Sequence, residues 1–360
     1  MNWLFKELLV IALGGKEHLS AIPSEFEWEE AYQQAEKHAL VGILFNAIET
    51  LNKDDKNLMP PMPLFYQWMG EALQIETRNK TLNVAAEHLN RIFNAGKLRC
   101  CVLKGQGIAR LYPIPERRQS GDIDLWVEGG REVVLKFLKN SCWGIGHVVL
   151  HHVDACIIDG VDTEIHFIPV YACNPFLHHR LQKFFKRQAN EQFSNFDTEL
   201  GFAYPSLQFN SVYILAHIYM HFLYEGIGMR QIVDYYYVLK SLSKDERENA
   251  CENIKRVGLS RFAGAVSFVL VSICGWDEAS LVIEPDKKRG ELLLDEIERS
   301  GNFGKYDERL SSRNESNLIR FNLIALKRQL RFFRYYPIDI ISIPFFKICH
   351  WFWRLWKGYL

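Results

Sequence analysis

Residues Gly121 to Val127 read Gly-Asp-Ile-Asp-Leu-Trp-Val. A strand turns successive side chains to opposite faces, so Ile123, Leu125 and Val127 share one face and Asp122, Asp124 and Trp126 the other. Two carboxylates one residue apart in an otherwise apolar strand need a reason to be there. Either that face is solvated, or something positive sits in front of it. The stretch also fixes the fold class of its surroundings. A buried strand needs partners, and short β-type runs around glycines occupy residues 97 to about 200. Helical patterns lie on either side. The expected fold is α+β, a mixed sheet flanked by helical regions, with residues 1–95 helical, 96–203 the sheet-bearing core and 204–360 helical again.

The helical flanks follow from local signals. Ser24, with Glu27 three positions on, predicts a capping box at the start of one helix running through Leu51. Lys53 to Pro63 is a polar, proline-rich break, and a further helix is expected from about Leu64 to Asn94, ending at Ala95-Gly96. The N-terminal residues 1–15 read as an amphipathic helix: Lys6 and Glu7 interrupt the apolar run, and no Ala-x-Ala cleavage pattern follows. Ser243 and Glu284 open loop or helix-start signals. Nearly half the chain is apolar and the net charge is zero, so no global field recruits nucleic acid or anionic surfaces. Eight scattered cysteines without a CxxC pair suit reduced thiols and a cytoplasmic protein.

Around the aspartates, residues 99–103 are a short strand candidate, and Lys104 to Pro113 a turn into a short helix stopped by prolines. A helix is expected over residues 131–141. Further on, Asp159-Gly160 between apolar runs predicts a type I′ hairpin. With that pair as the turn, Ile158 opposes Val161, Ala155 opposes Glu164 and Val153 opposes His166. Asp162, Glu164 and His166 then share one face. Val161, Thr163, Ile165 and Phe167 form the core face, with Cys156 and Ile158 across from them. A third carboxylate on the side of Asp122 and Asp124 would be repulsive unless a cation sat among them. Three oxygen donors suit Mg²⁺ or Mn²⁺, which could hold a nucleoside triphosphate and favour in-line displacement. Backbone N–H groups of the Gly105-Gln106-Gly107 turn, with Lys104 beside them, could hold phosphate oxygens. Arg118, next to Ser120, offers a fork of donors, while Arg117 reads as a solvated loop residue.

This constellation resembles the uncharacterised nucleotidyltransferase family of the DNA polymerase β-like superfamily. The match runs through Leu103-Lys104-Gly105, Leu111-Tyr112-Pro113, Arg118 and the strand Gly121 to Val127, then Thr163 to Phe167. A later helical motif follows with His217, His221, Arg230 and Asp234 at its polar positions. The resemblance covers about residues 95–240 and implies Asp122, Asp124 and Glu164 as metal-holding catalytic carboxylates. It implies transfer of a nucleoside monophosphate from a nucleoside triphosphate to an acceptor that could be protein, small molecule or RNA. A non-catalytic nucleotide-binding or scaffold protein, or a phosphotransferase, are the alternatives. The superfamily usually has Gly-Ser or Gly-Gly at the turn, where this chain has Gly105-Gln106-Gly107. His217 and His221 have zinc-like i, i+4 spacing but no further ligand motif, and are expected to face the sheet and hydrogen-bond in the seam there, within reach of nucleotide or acceptor. His151-His152 shows no metal spacing. The C-terminal segment from Ile319 mixes aromatics with Lys and Arg around a single acid, Asp339. It is compatible with peripheral membrane or protein contact, or with terminal helices packed on the body and broken at Pro337 and Pro344.

Overall fold

A computed structural model describes residues 1–51, 58–309 and 318–357. Its N-terminal part holds α1 (Trp3–Ala12), α2 (Glu25–His38), α3 (Val41–Thr50) and α4 (Met62–Ala95). The Ser24–Glu27 capping box forms as expected. The helix behind it is not continuous: Ala39 takes a left-handed conformation at φ 56°, so α2 ends and α3 begins. Of the proline-rich break, residues 53–57 lie outside the described residues.

The central part runs β1 (Cys100–Val102), α5 (Gln106–Ala109), β2 (Ile123–Val127), α6 (Gly130–Asn140), β3 (Gly144–Val148), β4 (His152–Ile158) and β5 (Val161–His166). These strands make one sheet in the order β1-β2-β5-β4-β3. The β2–β5 pair is parallel and the others are antiparallel. A 20-residue helix, α7 (Pro175–Ser194), follows where the sequence showed only the end of the sheet region. After it come the short strands β6 (Phe196–Asp197) and β7 (Phe202–Ala203). The chain then continues as α8 (Leu207–Tyr224), α9 (Met229–Lys240), α10 (Lys244–Val257), α11 (Ser260–Cys274), α12 (Lys287–Ser300), α13 (Leu318–Leu330) and α14 (Pro337–Lys357). This is an α+β fold. Pro337 fits the first turn of α14, where its missing N–H costs nothing. Pro344 does not end the helix as expected; it lies inside it. No described helix is long and apolar enough to cross a membrane.

Two cores place the sheet. Its back face, with Ile123, Leu125, Val127, Val153 and Ile165, packs on α6 and on Leu82, Leu89 and Phe93 of α4. The first half of α4, through Leu64 and Trp68, belongs to a larger helical core that takes in α8 and α9. Trp126, on the front face of β2, joins that second core. The front face therefore looks toward α8 and α9, and the acidic residues lie between them.

The hairpin corrects the predicted register. Ile158 does oppose Val161, but Ala155 then pairs with Thr163, Asp154 with Glu164, Val153 with Ile165 and His152 with His166. Between the first two pairs β4 carries one residue more than β5, a bulge. The turn is not type I′ either. Among the described residues only Gly160 of the pair has positive φ, at 73°. A turn of that kind does not match the right-handed strand twist, and the bulge beside it takes up the mismatch. Cys156, expected on the core face, falls in the bulge and is exposed. The parity of β5 is unaffected, so Glu164 and His166 stay on the side of the aspartates.

Candidate functional site

Parallel pairing sets Asp124 of β2 directly beside Glu164 of β5, and Trp126 beside His166. Asp124 is only 3% exposed and His166 2%. The Nζ of Lys104 lies 2.8 Å from Asp124 Oδ1. His166 Nε2 lies 3.0 Å from the same oxygen and 3.3 Å from Glu164 Oε2. One ligand atom from each of Asp124, Glu164 and His166 falls within 4.8 Å of the others. The predicted closeness of Glu164 to the DxD pair is thus present. Asp122 lines the cavities on both sides of Lys104.

Two groups that carry positive charge, Lys104 and His166, lie close to the three carboxylates, and Arg230 acts on Asp122 from further along the cavity. Burial alone would raise the Asp124 carboxyl, but the charge of Lys104 and the hydrogen bond from His166 hold it well below the usual carboxylate range. Asp122 goes the other way: the charge of Asp124, then burial, raise its carboxyl. Burial works against a charged His166, yet its hydrogen bonds to Asp124 and Glu164 raise it from 6.5 to about 9. Burial also works against charge on Glu164, but the hydrogen bond and charge of His166 together with the charge of Lys104 lower that carboxyl. Asp122 is therefore the carboxylate least compensated by positive charge, and among the described residues its oxygens fall outside the Asp124, Glu164 and His166 group that could hold a cation.

A stability test follows from His166. Its imidazolium is favoured in the folded chain, so its contribution is full below pH 6.5 and is lost as pH rises through about 9. Without divalent cations, the urea midpoint of the wild type is expected to fall over that window, and His166→Gln to flatten the fall.

The deciding surroundings are on α8 and α9. His217 Nε2 accepts from Lys104 Nζ at 3.3 Å. Burial, then the charge of Lys104, keep that imidazole neutral by pushing it well below its ordinary value. Asp234 accepts two hydrogen bonds from Arg118, both 2.7 Å, and one from the Tyr112 hydroxyl at 2.6 Å. Glycine turn, acidic strand, third carboxylate and polar helix motif thus meet in one place, and a family model for an uncharacterised nucleotidyltransferase matches residues 24–272. The chain belongs to that family. The matched stretch is well over half of the chain and contains every residue of the carboxylate cluster. No curated protein matches the chain.

Within this member of the family, not every candidate residue reaches the carboxylates. Lys104, Gly105, Asp122, Asp124, Arg118 and His217 line one narrow cavity of about 30 Å³. A larger one of about 300 Å³ opens beside it, lined among others by Glu164, His166, His217 and His221. Gly107 is not brought to either. Its amide donates to the Lys104 carbonyl, so it is unavailable to phosphate, and a Cβ there would come within 2.6 Å of the Val102 carbonyl oxygen. The glycine is needed for packing. Ser120 accepts from Arg118 Nη1 at 2.9 Å and lines a separate cavity beside α2 and α4. Arg118 spends Nε and Nη2 on Asp234 and Nη1 on Ser120. Arg117 pairs with Glu49 and Glu76 rather than lying solvated. His221 Nδ1 lies 2.9 Å from Glu225 Oε2. Among the described residues neither His217 nor His221 belongs to a group able to hold a metal.

The histidine cluster and Phe303 escaped the sequence, and Arg230 was read there only as a polar position of the helical motif. Ligand atoms of His151, His152 and His166 come within 4.8 Å of one another, as do those of His152, Asp154 and Glu164. The bulge made this possible, and only the register could have revealed it. Arg230, 8% exposed, lines the narrow cavity with its Nε buried and unpaired. Burial, then the charge of Arg118, make its own charge less favourable. Phe303 borders both cavities with φ at 52°, left-handed for a bulky residue, and stands 4.8 Å from the His221 ring centroid.

Proposed function

We propose that this protein transfers a nucleoside monophosphate from a nucleoside triphosphate to an acceptor hydroxyl, with a divalent cation and release of pyrophosphate. The observation that carries this reading is the unequal charge of the site. At close range Asp124 and Glu164 meet the positive charge of Lys104 and His166, while the charge of Asp124, then burial, keep the carboxyl of Asp122 raised. A few steps away in the same narrow cavity, Arg230 has the opposite shortage, a buried guanidinium whose Nε has no acceptor. A cation chelated by phosphates satisfies both ends at once.

Asp122, Asp124 and Glu164 would hold the cation. When bound, it would neutralise phosphate charge and make an acceptor hydroxyl easier to deprotonate. The hydrogen bond from His166 holds the Glu164 carboxyl low, which suits a ligand better than a general base at neutral pH. Lys104 and Arg230 would orient phosphates by direct donation, a role for which Arg230 is better placed than Arg118. A protonated imidazole is no ligand, so joining His166 to the metal set would release its proton and make affinity rise with pH. The imidazoles of His151 and His152 beside the carboxylates favour Mn²⁺ over Mg²⁺, because nitrogen donors suit transition ions better.

Thermal denaturation tests this. ATP with Mn²⁺ is expected to raise the melting temperature more than either alone. Arg230→Ala is expected to weaken ATP binding by about tenfold or more, as a charge-assisted hydrogen bond is worth about 1.5–3 kcal/mol, and to leave the shift by Mn²⁺ alone intact. An Arg230→Ala chain that binds ATP as tightly as wild type would remove the arginine from the phosphate end.

A further inference from the structure

Helix α14 is apolar on two faces: Ile340 and Ile343 are buried in the core, and a second apolar row points outward. Ile338, Ile341, Phe345, Ile348, Phe352 and Leu355 recur at spacings of three and four, hence on one face, and all are exposed. Phe345 is 66% exposed and Trp356, one turn beyond Phe352, 78%. The polar residues lie elsewhere. The only acid of residues 318–357, Asp339, is turned inward and accepts from Asn174 Nδ2 at 3.2 Å. Helix α13 adds exposed Leu326 and Leu330, and an apolar groove of about 500 Å³ separates the two helices. A protein in water rarely exposes so continuous an apolar face unless something covers it.

The charge around this face says what. Residues 318–357 carry eight Lys and Arg against the single Asp339. Arg328 and Arg331 are turned to Glu296 and Asp295, while Lys327 and Arg334 are exposed on α13 and the turn after it. Exposed Trp351 and Trp356 add rings of the kind that settle at a membrane–water boundary. An apolar face with a basic border complements an anionic lipid surface. The helix is not apolar enough to cross a membrane, which fits lying in the headgroup region instead. We propose that α13 and α14 dock this protein onto anionic bilayers, with the groove between them open to an acyl chain. The docking face lies beyond residue 272, where the family match ends, and is independent of the catalytic reading.

Co-sedimentation of the full chain with vesicles tests it. Wild type is expected to sediment with phosphatidylcholine vesicles containing phosphatidylglycerol, less with pure phosphatidylcholine, and less again at high salt. Phe345→Glu with Phe352→Glu is expected to cut partitioning by more than about a hundredfold at an unchanged melting temperature, since both rings are already in water. Trp356→Ser, at the most exposed of these positions, is a second variant should the double one misfold, and is expected to lower partitioning severalfold. Wild type remaining in the supernatant, or variants that sediment like it, would overturn the proposal. So would a wild-type dimer that ignores vesicles and that Phe345→Glu with Phe352→Glu turns into a monomer, because the face would then belong to a second copy.

Discussion

Asp122→Asn is expected to raise the melting temperature of the cation-free protein while lowering nucleotidyl transfer by about a thousandfold. The two effects have one cause. The carboxyl of Asp122 is raised above its ordinary value by the charge of Asp124 and by burial, so ionising it costs more in the folded chain than in the unfolded one. At neutral pH that cost is borne by the native state, and an amide of the same shape removes it. The same carboxylate charge is what a cation would need, so the amide should also abolish the rise in melting temperature with Mn²⁺ and ATP. Few substitutions in a packed interior stabilise and inactivate together. The combination is the signature of a site whose strain serves binding. A variant that is less stable without cation, yet turns over ATP as wild type does, would place the ligand set elsewhere.

Asp234→Asn is expected to act in the opposite way, through stability. Asp234 Oδ1 and Oδ2 take both arms of Arg118, and Tyr112 adds a third donor. The Arg118 side chain is 4% exposed and that of Asp234 9%, so little water reaches the pair. Leaving a buried guanidinium without its carboxylate costs about 3–5 kcal/mol. Urea denaturation should read a loss of that size, and Arg118→Met combined with Asp234→Leu should recover much of it. Exposed ion pairs are worth about 0–1 kcal/mol, and a loss in that range would mean that Arg118 is held by something else. This pair ties the loop before β2 to α9, and α9 also carries Arg230. Its loss should therefore weaken ATP binding as well.

The strand of alternating acids was legible because strand parity depends on nothing beyond the backbone, and so was the face of Glu164. The capping box at Ser24 and the end of α4 at Gly96 are equally local and were equally readable. Pairing across strands was not. A bulge adds one residue without any motif, and it exchanged Ala155 for Asp154 opposite Glu164. The break between α2 and α3 rests on a left-handed alanine, which propensity does not announce. The resemblance named Arg118 and Asp234 but was silent about their pairing, because one lies in the loop before β2 and the other on α9. Arg230 was named in the helical motif, but its place in the cavity, and the presence of Phe303, became visible only when α8, α9 and the turn after α12 closed over the sheet.

The central claim is that the α-phosphate is the group transferred. Incubating the protein with Mn²⁺, candidate acceptors and ATP labelled at either the α- or the γ-phosphate tests it most directly. The account predicts that α-label enters the acceptor and γ-label leaves as pyrophosphate, both lost in Asp122→Asn. Entry of γ-label into the acceptor, with α-label left in ADP, would contradict it and make the same carboxylates the site of a phosphotransferase.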